Sequence, residues 1–429
     1  MKNHSTKLFS AALICIMLFA VAFVTVAEGQ KEKAESKAEV TKIVYLDPMV
    51  PPYRLDVMKS MAEDFMNANP NIDIELQATS SWGEQRTKLM TAIAGGGGPD
   101  VFSQNYMSYP TYASEGIMEN LDPFIEDDPA VDTADFFKPL IDGMQSIDGN
   151  TYGLPISVTL MVSFYNKDLF SQAGISGFPE TMDQFRETGI KINELGDDIY
   201  GFASFSKVKV TIDAWLADYF YPTGGKLLND DRTEILFNSP EGVKATQMMV
   251  DNVHKHQFQA PLGTEATDLF ARGQAGICTF WPYIYGYLEQ NAPDVPWGAA
   301  GTPVGDRGEP VSLGNIIILS LLKQSENKDA AWKWISYLME YDGHFEYNKE
   351  RNHIPARADM LESDYFKNHP AWSVYLAQVP YMKLFPADFD KYLDMSNTLN
   401  EELENAVVQE KTPAKALSDA ASRSQKYVE

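Results

Sequence analysis

Cysteine is almost missing from this chain of 429 residues, which holds only Cys15 and Cys278. Cys15 falls in an N-terminal apolar run that reads as removable. The mature protein would therefore keep one thiol and no internal disulfide, and its fold must stand on its core. Histidine is scarce as well, at six residues, and the spacings do not favour a metal site. His254 and His256 lie two apart, on different faces of a predicted helix. His344 and His353 flank Glu350, but Lys349 and Arg351 lie beside it and disfavour a cation. Positive charge is in short supply: 35 Lys and Arg against 60 Asp and Glu leave a net charge of −25. Such a surface repels nucleic acid and anionic membranes, so neither is expected as a partner. Catalytic signatures are missing too. There is no Gly-x-Ser-x-Gly elbow, no His-Glu-x-x-His and no Cys-x-x-Cys, and the glycines at 95–98 are not followed by the Gly-Lys-Ser/Thr of a phosphate loop. No enzyme, metal or cofactor is expected. A glycosidase-like pair of carboxylates is the catalytic arrangement that composition leaves open.

What is present begins at the N terminus. Lys2 and Lys7 precede an apolar run, Leu8–Val26, and Thr25-Val26-Ala27 offers small residues for cleavage. Residues 1–27 read as an export signal, with a membrane-spanning helix as the alternative for so long a run. Residues 28–40, rich in Lys, Glu and Ala, read as a disordered leader. The protein is expected outside the cytoplasm, periplasmic or at the cell surface, free or membrane-tethered. Ile14 before Cys15 makes a poor lipid-attachment site.

From residue 41 the chain alternates strand and helix. Lys42–Leu46 (KIVYL) reads as a strand, Leu55 to Met66 as an amphipathic helix stopped by Asn69-Pro70, and Ile72–Leu76 as an outer strand. A helix over Trp82–Ala94 runs into the glycines, and Asp100-Val101-Phe102 reads as a short buried strand. This rhythm predicts an α/β fold. Further on, Ile156–Tyr165 reads as one strand, Ser239-Pro240-Glu241 as a helix start, Ala275–Phe280 as a strand and Ile316–Leu322 as another. Pro293–Arg307, rich in Pro and Gly, reads as a crossing between domains.

Ser103, Gln104, Asn105 and Tyr106 follow the predicted strand at its carboxyl end, where open α/β sheets form ligand crevices. Amides, hydroxyls and rings with no ionised group suit a neutral, hydroxyl-rich solute. Aromatic residues make up 12% of the chain, and Trp82, Tyr106, Tyr109, Trp215, Trp281, Tyr283 and Tyr285 all fall at predicted loops or element ends. Such rings stack on the C–H face of a pyranose, while Asp, Asn and Gln pair its hydroxyls.

Five segments, in order, resemble the extracellular solute-binding proteins of ABC transporters, the family that includes maltose-binding protein. They are FMNANPNIDI (65–74), GGGGPDV (95–101), YGLPISVTLMVSFYNKDL (152–169), FARGQAGICTFW (270–281) and KTPAKAL (411–417). The resemblance implies a type II periplasmic-binding-protein fold, two α/β lobes about a hinge, with residues 41–156 and 303–345 in the first lobe and 157–302 and 346–429 in the second. It implies a monomer that binds a small carbohydrate and delivers it to membrane permease subunits. Carried over residue by residue, it places ligand contacts at Trp82, Gln104, Asn105 and Tyr106 in the first lobe. Ser157 and Thr159 would lie at the hinge, Trp215, Asp218, Trp281 and Tyr283 in the second lobe, with Asn315 facing the cleft. Arg351, in the return crossing, would touch solute or form a hinge salt bridge. Met107 and Ser108 stand where maltose-binding members carry charged residues, which leaves the sugar open. A polyamine or other non-sugar solute is the alternative, kept alive by Asp218 and the group Asp388, Asp390 and Asp394.

Overall fold

The computed structural model describes residues 40–48, 53–145, 148–204, 210, 212–368, 370–385 and 391–428. The export signal, the leader up to residue 39, Asp388 and Asp390 lie outside them. Among the described residues the strands are β1 (Thr41–Pro48), β2 (Ile72–Thr79), β3 (Val101–Asn105), β4 (Leu154–Leu160), β5 (Val162–Asn166), β6 (Tyr200–Ala203), β7 (Ala275–Phe280), β8 (Trp297–Ala300), β9 (Ser312–Leu321), β10 (Ile354–Pro355) and β11 (Met382–Leu384). They form two sheets. The larger runs β10-β4-β9-β3-β1-β2, with β11 also paired to β9, and the smaller runs β6-β7-β5-β8.

The first sheet begins as the sequence predicts. β1 pairs in parallel with β2 and β3, and the helices Tyr53–Ala68 and Trp82–Ala94 make the crossovers that parallel pairing requires. Ser81 caps the second helix by accepting from the Glu84 N–H at 3.1 Å. β9 is the keystone. It lies antiparallel between β3 and β4, every one of its ten residues is buried, and its Ile316–Leu319 run fills both faces. Each such side chain contributes about 1.5–3 kcal/mol of burial. Across the sheet, Trp334 packs edge-on against Tyr45 and Phe65, with ring centroids at 5.9 and 5.3 Å.

The glycine run is a turn, not a cradle. Gly96 and Gly98 have positive φ, and a Cβ on Gly98 would meet Leu322 at 2.7 Å. Asp100 follows as a structural anchor. Its carboxylate accepts from the Val44 N–H at 2.8 Å and from Ser325 Oγ at 2.6 Å, tying β1 to the chain beyond β9.

The stretch predicted as one strand over Ile156–Tyr165 is two. Leu160 still pairs with Gly314 in the large sheet, whereas Val162 pairs with Phe280 in the small one. Met161 is the crossing. Both halves are buried and β-rich, so no change of periodicity marks the switch. Residues 157–160, read from sequence as second lobe, are therefore built into the first sheet. The same holds past residue 345: the helix Tyr341–Arg351 packs on the helix Tyr53–Ala68, and β10 pairs with β4. The chain then joins the other half. The helix Pro370–Gln378 packs on β5 and β8, β11 returns to pair with β9, and the helix Tyr392–Val407 packs against the helices Pro240–His254 and Pro413–Ser424.

Candidate ligand-binding cleft

Two strand ends and one strap bring residues of both halves together. Tyr106 leaves the end of β3, and its N–H donates to Asn315 Oδ1 at 3.1 Å and to the Ile316 carbonyl. Asn315, near the start of β9, also accepts from the Ile316 N–H at 2.9 Å. Its amide nitrogen donates to no group among the described residues. Opposite Asn315 in the register lies Thr159, which donates to the Asn315 carbonyl at 3.5 Å. β11 lies along the start of β9 and leads into Phe385.

Between these elements and the loop of residues 221–232 is a cavity of about 330 Å³. Tyr106, Lys383 and Phe385 line one side, and Tyr221, Lys226 and Arg232 the other. Trp281 backs it, with its ring 6.3 Å from that of Phe385. A larger polar hollow of about 620 Å³ lies at the other end of the first sheet, beside Thr41, Asn71 and Lys328. It involves neither the second sheet nor any predicted contact.

The predicted contacts divide accordingly. Tyr106 lines the cavity; Asn315 and Thr159 adjoin it through the Tyr106 N–H and the pairing of β4 with β9, and Trp281 adjoins it through the Phe385 ring. Asn105 ends β3 half-buried and accepts from Ser108 Oγ at 3.2 Å. Trp82 opens its helix half-buried against the core, and Tyr283 is 37% exposed; neither lines this cavity. Gln104 faces the interior. Its amide nitrogen donates to Ser320 Oγ and Met118 Sδ, both at 2.8 Å. Ser157 is fully buried and donates to Asn348 Oδ1 at 2.6 Å.

Trp215 is not a platform either. It is fully buried, stacks on Phe220 at 4.2 Å and donates to Thr246 Oγ1 at 3.1 Å. Its role is support: a Cβ on Gly225 would meet the Phe220 ring at 2.3 Å, so the Trp215–Phe220 stack seats the loop that carries Lys226. Tyr109 is likewise core, donating to the Met144 carbonyl at 2.7 Å.

Arg351 forms the salt bridge rather than the solute contact. It is 3% exposed, pairs with the wholly buried Asp47, and lies 4.1 Å over the Tyr347 ring. Burial opposes its charge, but Asp47 more than compensates and its pKa is raised. Asp47 also accepts from Ser103, so the pair pins β1, β3 and the helix Tyr341–Arg351 together.

Asp218 sits in a π-helical turn, Leu216–Phe220, and does not line this cavity. It lines a pore of about 10 Å³ with Thr279 and Thr302, room for about one water molecule. One carboxylate oxygen has no partner among the described residues, and burial pushes the group up to about 8. Burial also raises the Cys278 thiol well above its ordinary range. His344 goes the other way. Burial and the nearby Arg357 lower it to about 3, and its Nε2 accepts from the Ala356 N–H.

The sequence reading missed Tyr221, Lys226, Arg232, Lys383 and Phe385. The available signal was a basic residue set between rings in YMKLF (381–385) and the Gly224-Gly225 turn before Lys226.

Comparison with known proteins places the chain. Residues 52–343 match the model of the bacterial extracellular solute-binding proteins. The chain belongs to that family. This solute-binding protein is 24% identical over 348 residues to a maltotriose-binding protein of Pyrococcus abyssi, spanning 78% of this chain and 71% of that one. An ABC substrate-binding protein of Listeria monocytogenes, solved with cycloalternan, superposes with a TM-score of 0.82 at 25% identity, over 90% of this chain and 99% of that one. The maltose-bound MalE3 of T. maritima gives 0.81 at 24% identity, over 91% and 100%. The fold is the two-lobe α/β fold of these binding proteins, and the family is extracellular. No helix among the described residues is long and apolar enough to cross a membrane.

Proposed function

We propose that this protein is the extracytoplasmic component of an ABC importer, taking a mono- or oligosaccharide between its lobes and handing it to permease subunits. Residues 41–160 and 312–355 form one lobe, and the chain from 162 to 300 with the helices after 370 forms the other. The lobes swing about Met161, the 301–311 crossing and the strap ending in β11. Tyr106, Thr159 and Asn315 contact the solute from the first lobe, and Trp281 and Tyr221 from the second. The observation that carries this reading is a cavity faced with rings and hydrogen-bonding groups by both lobes. The surplus of cationic over anionic side chains around it disfavours a polyamine. The binding role needs no chemistry at the site, and the relatives above are binding proteins.

A thermal-shift screen of the mature protein against mono- and oligosaccharides, polyamines and amino acids tests the reading. A ligand at a hundredfold its Kd adds about 2.7 kcal/mol, an upshift of a few degrees. A shift with one sugar family, and the sugar recovered unchanged, is the expected result. Shifts with polyamines alone, or breakdown of the glycan, would overturn it.

A further inference from the structure

We propose that the solute is an anionic carbohydrate, whose carboxylate or phosphate seats against Lys383 with Lys226 and Arg232 around it. The inference rests on the reading of the inter-lobe cavity as the sugar site. It starts from a contrast in charge. The whole chain carries 60 acidic against 35 basic residues, yet the described lining of this cavity carries three cations and one carboxylate, Asp230. Chance placement on so acidic a protein would give the opposite sign.

Lys383 decides the matter. It projects from β11, the strap paired to β9, and its Nζ lies 5.0 Å over the face of Tyr221 on the opposite side of the cavity. The ring holds the ammonium without neutralising it. Among the described residues no carboxylate lies within salt-bridge distance of Lys383, although most of the other described lysines have one. Its neighbours add to the strain. Burial, then Arg307 and Lys226, lower its pKa against the opposing pull of Glu309, so a negative group arriving beside it offsets both the desolvation and the like-charge repulsion. Lys226 is held only loosely, 3.8 Å from an exposed Asp230. Arg232, whose φ of 60° turns it back on the loop, fixes one guanidinium nitrogen on the Asn229 carbonyl. A neutral sugar would leave the half-buried ammonium without a counter-ion; an acidic one would supply it. The rings of Tyr106 and Phe385 line the same cavity and pack the sugar's apolar face in this picture.

Matched pairs separate the possibilities. Calorimetric titration of galactose against galacturonate, and of glucose against glucose phosphate, is run at low salt and at about 0.5 M salt. The acidic member of at least one pair should bind about ten-fold tighter or more at low salt, with the advantage shrinking at high salt. The pair that responds tells carboxylate from phosphate. Lys383→Gln should abolish the preference while the unliganded Tm stays within a few degrees. Should that variant unfold, Lys226→Gln carries the same expectation in weaker form. Equal or tighter binding of the neutral sugars, or full preference retained in Lys383→Gln, would overturn the inference while leaving carbohydrate binding intact. Failure of every saccharide in a wider panel, in a protein that still unfolds cooperatively, would overturn the carbohydrate reading and this one with it.

Discussion

Burial keeps the Asp218 carboxyl protonated up to about pH 8 in the folded protein, whereas the unfolded chain ionises it near the ordinary value of 3.8. Between those values the native state holds one proton more than the unfolded state. Unfolding therefore becomes easier as pH rises through that window, and the loss is complete above it. Asp218→Asn keeps the shape and a partner for Thr279 but removes the charge. Denaturant titrations across a pH series should find the variant equal to the parent near pH 4. Near pH 8 it should be more stable, by on the order of a few kcal/mol. A parallel pH dependence in both proteins would place the proton elsewhere. Arg351 teaches a related lesson at the same scale. Its sequence position allowed a ligand contact or a salt bridge, and only the burial of Asp47 beside it decided for the bridge.

At the scale of elements, the loop that lines the cavity is set by what lies beneath it. Trp215 stacks on Phe220, and Phe220 leaves no room for a side chain at residue 225. Gly225→Ala places a methyl group in the Phe220 ring, so either the stack opens or the loop bearing Lys226 lifts. The expected outcome is a lower Tm, by about 1–3 kcal/mol of stability, together with weaker solute binding. Unchanged affinity in a folded variant would detach the loop from the site. The helices and strands themselves were largely legible: Trp82–Ala94, Ala275–Phe280 and the Ser239 cap of the helix Pro240–His254 stand where periodicity and capping chemistry put them. The break at Met161 was not, because a strand buried on both faces carries no alternation to interrupt.

For the whole molecule, two lobes linked by a few crossings imply an equilibrium between open and closed forms that solute shifts. Small-angle scattering of the mature protein should record a smaller radius of gyration with saturating solute than without. An unchanged radius, with binding independently confirmed, would mean that solute enters without closure.

The sequence by itself determined the alternation of strand and helix and the family, because periodicity, caps and short motifs are local. Tertiary structure decided which rings and charges reach the cleft. Trp215 went to the core and Lys383 to the cavity, since burial and pairing depend on neighbours more than a hundred residues away, such as Lys383 over Tyr221, and no local pattern encodes them.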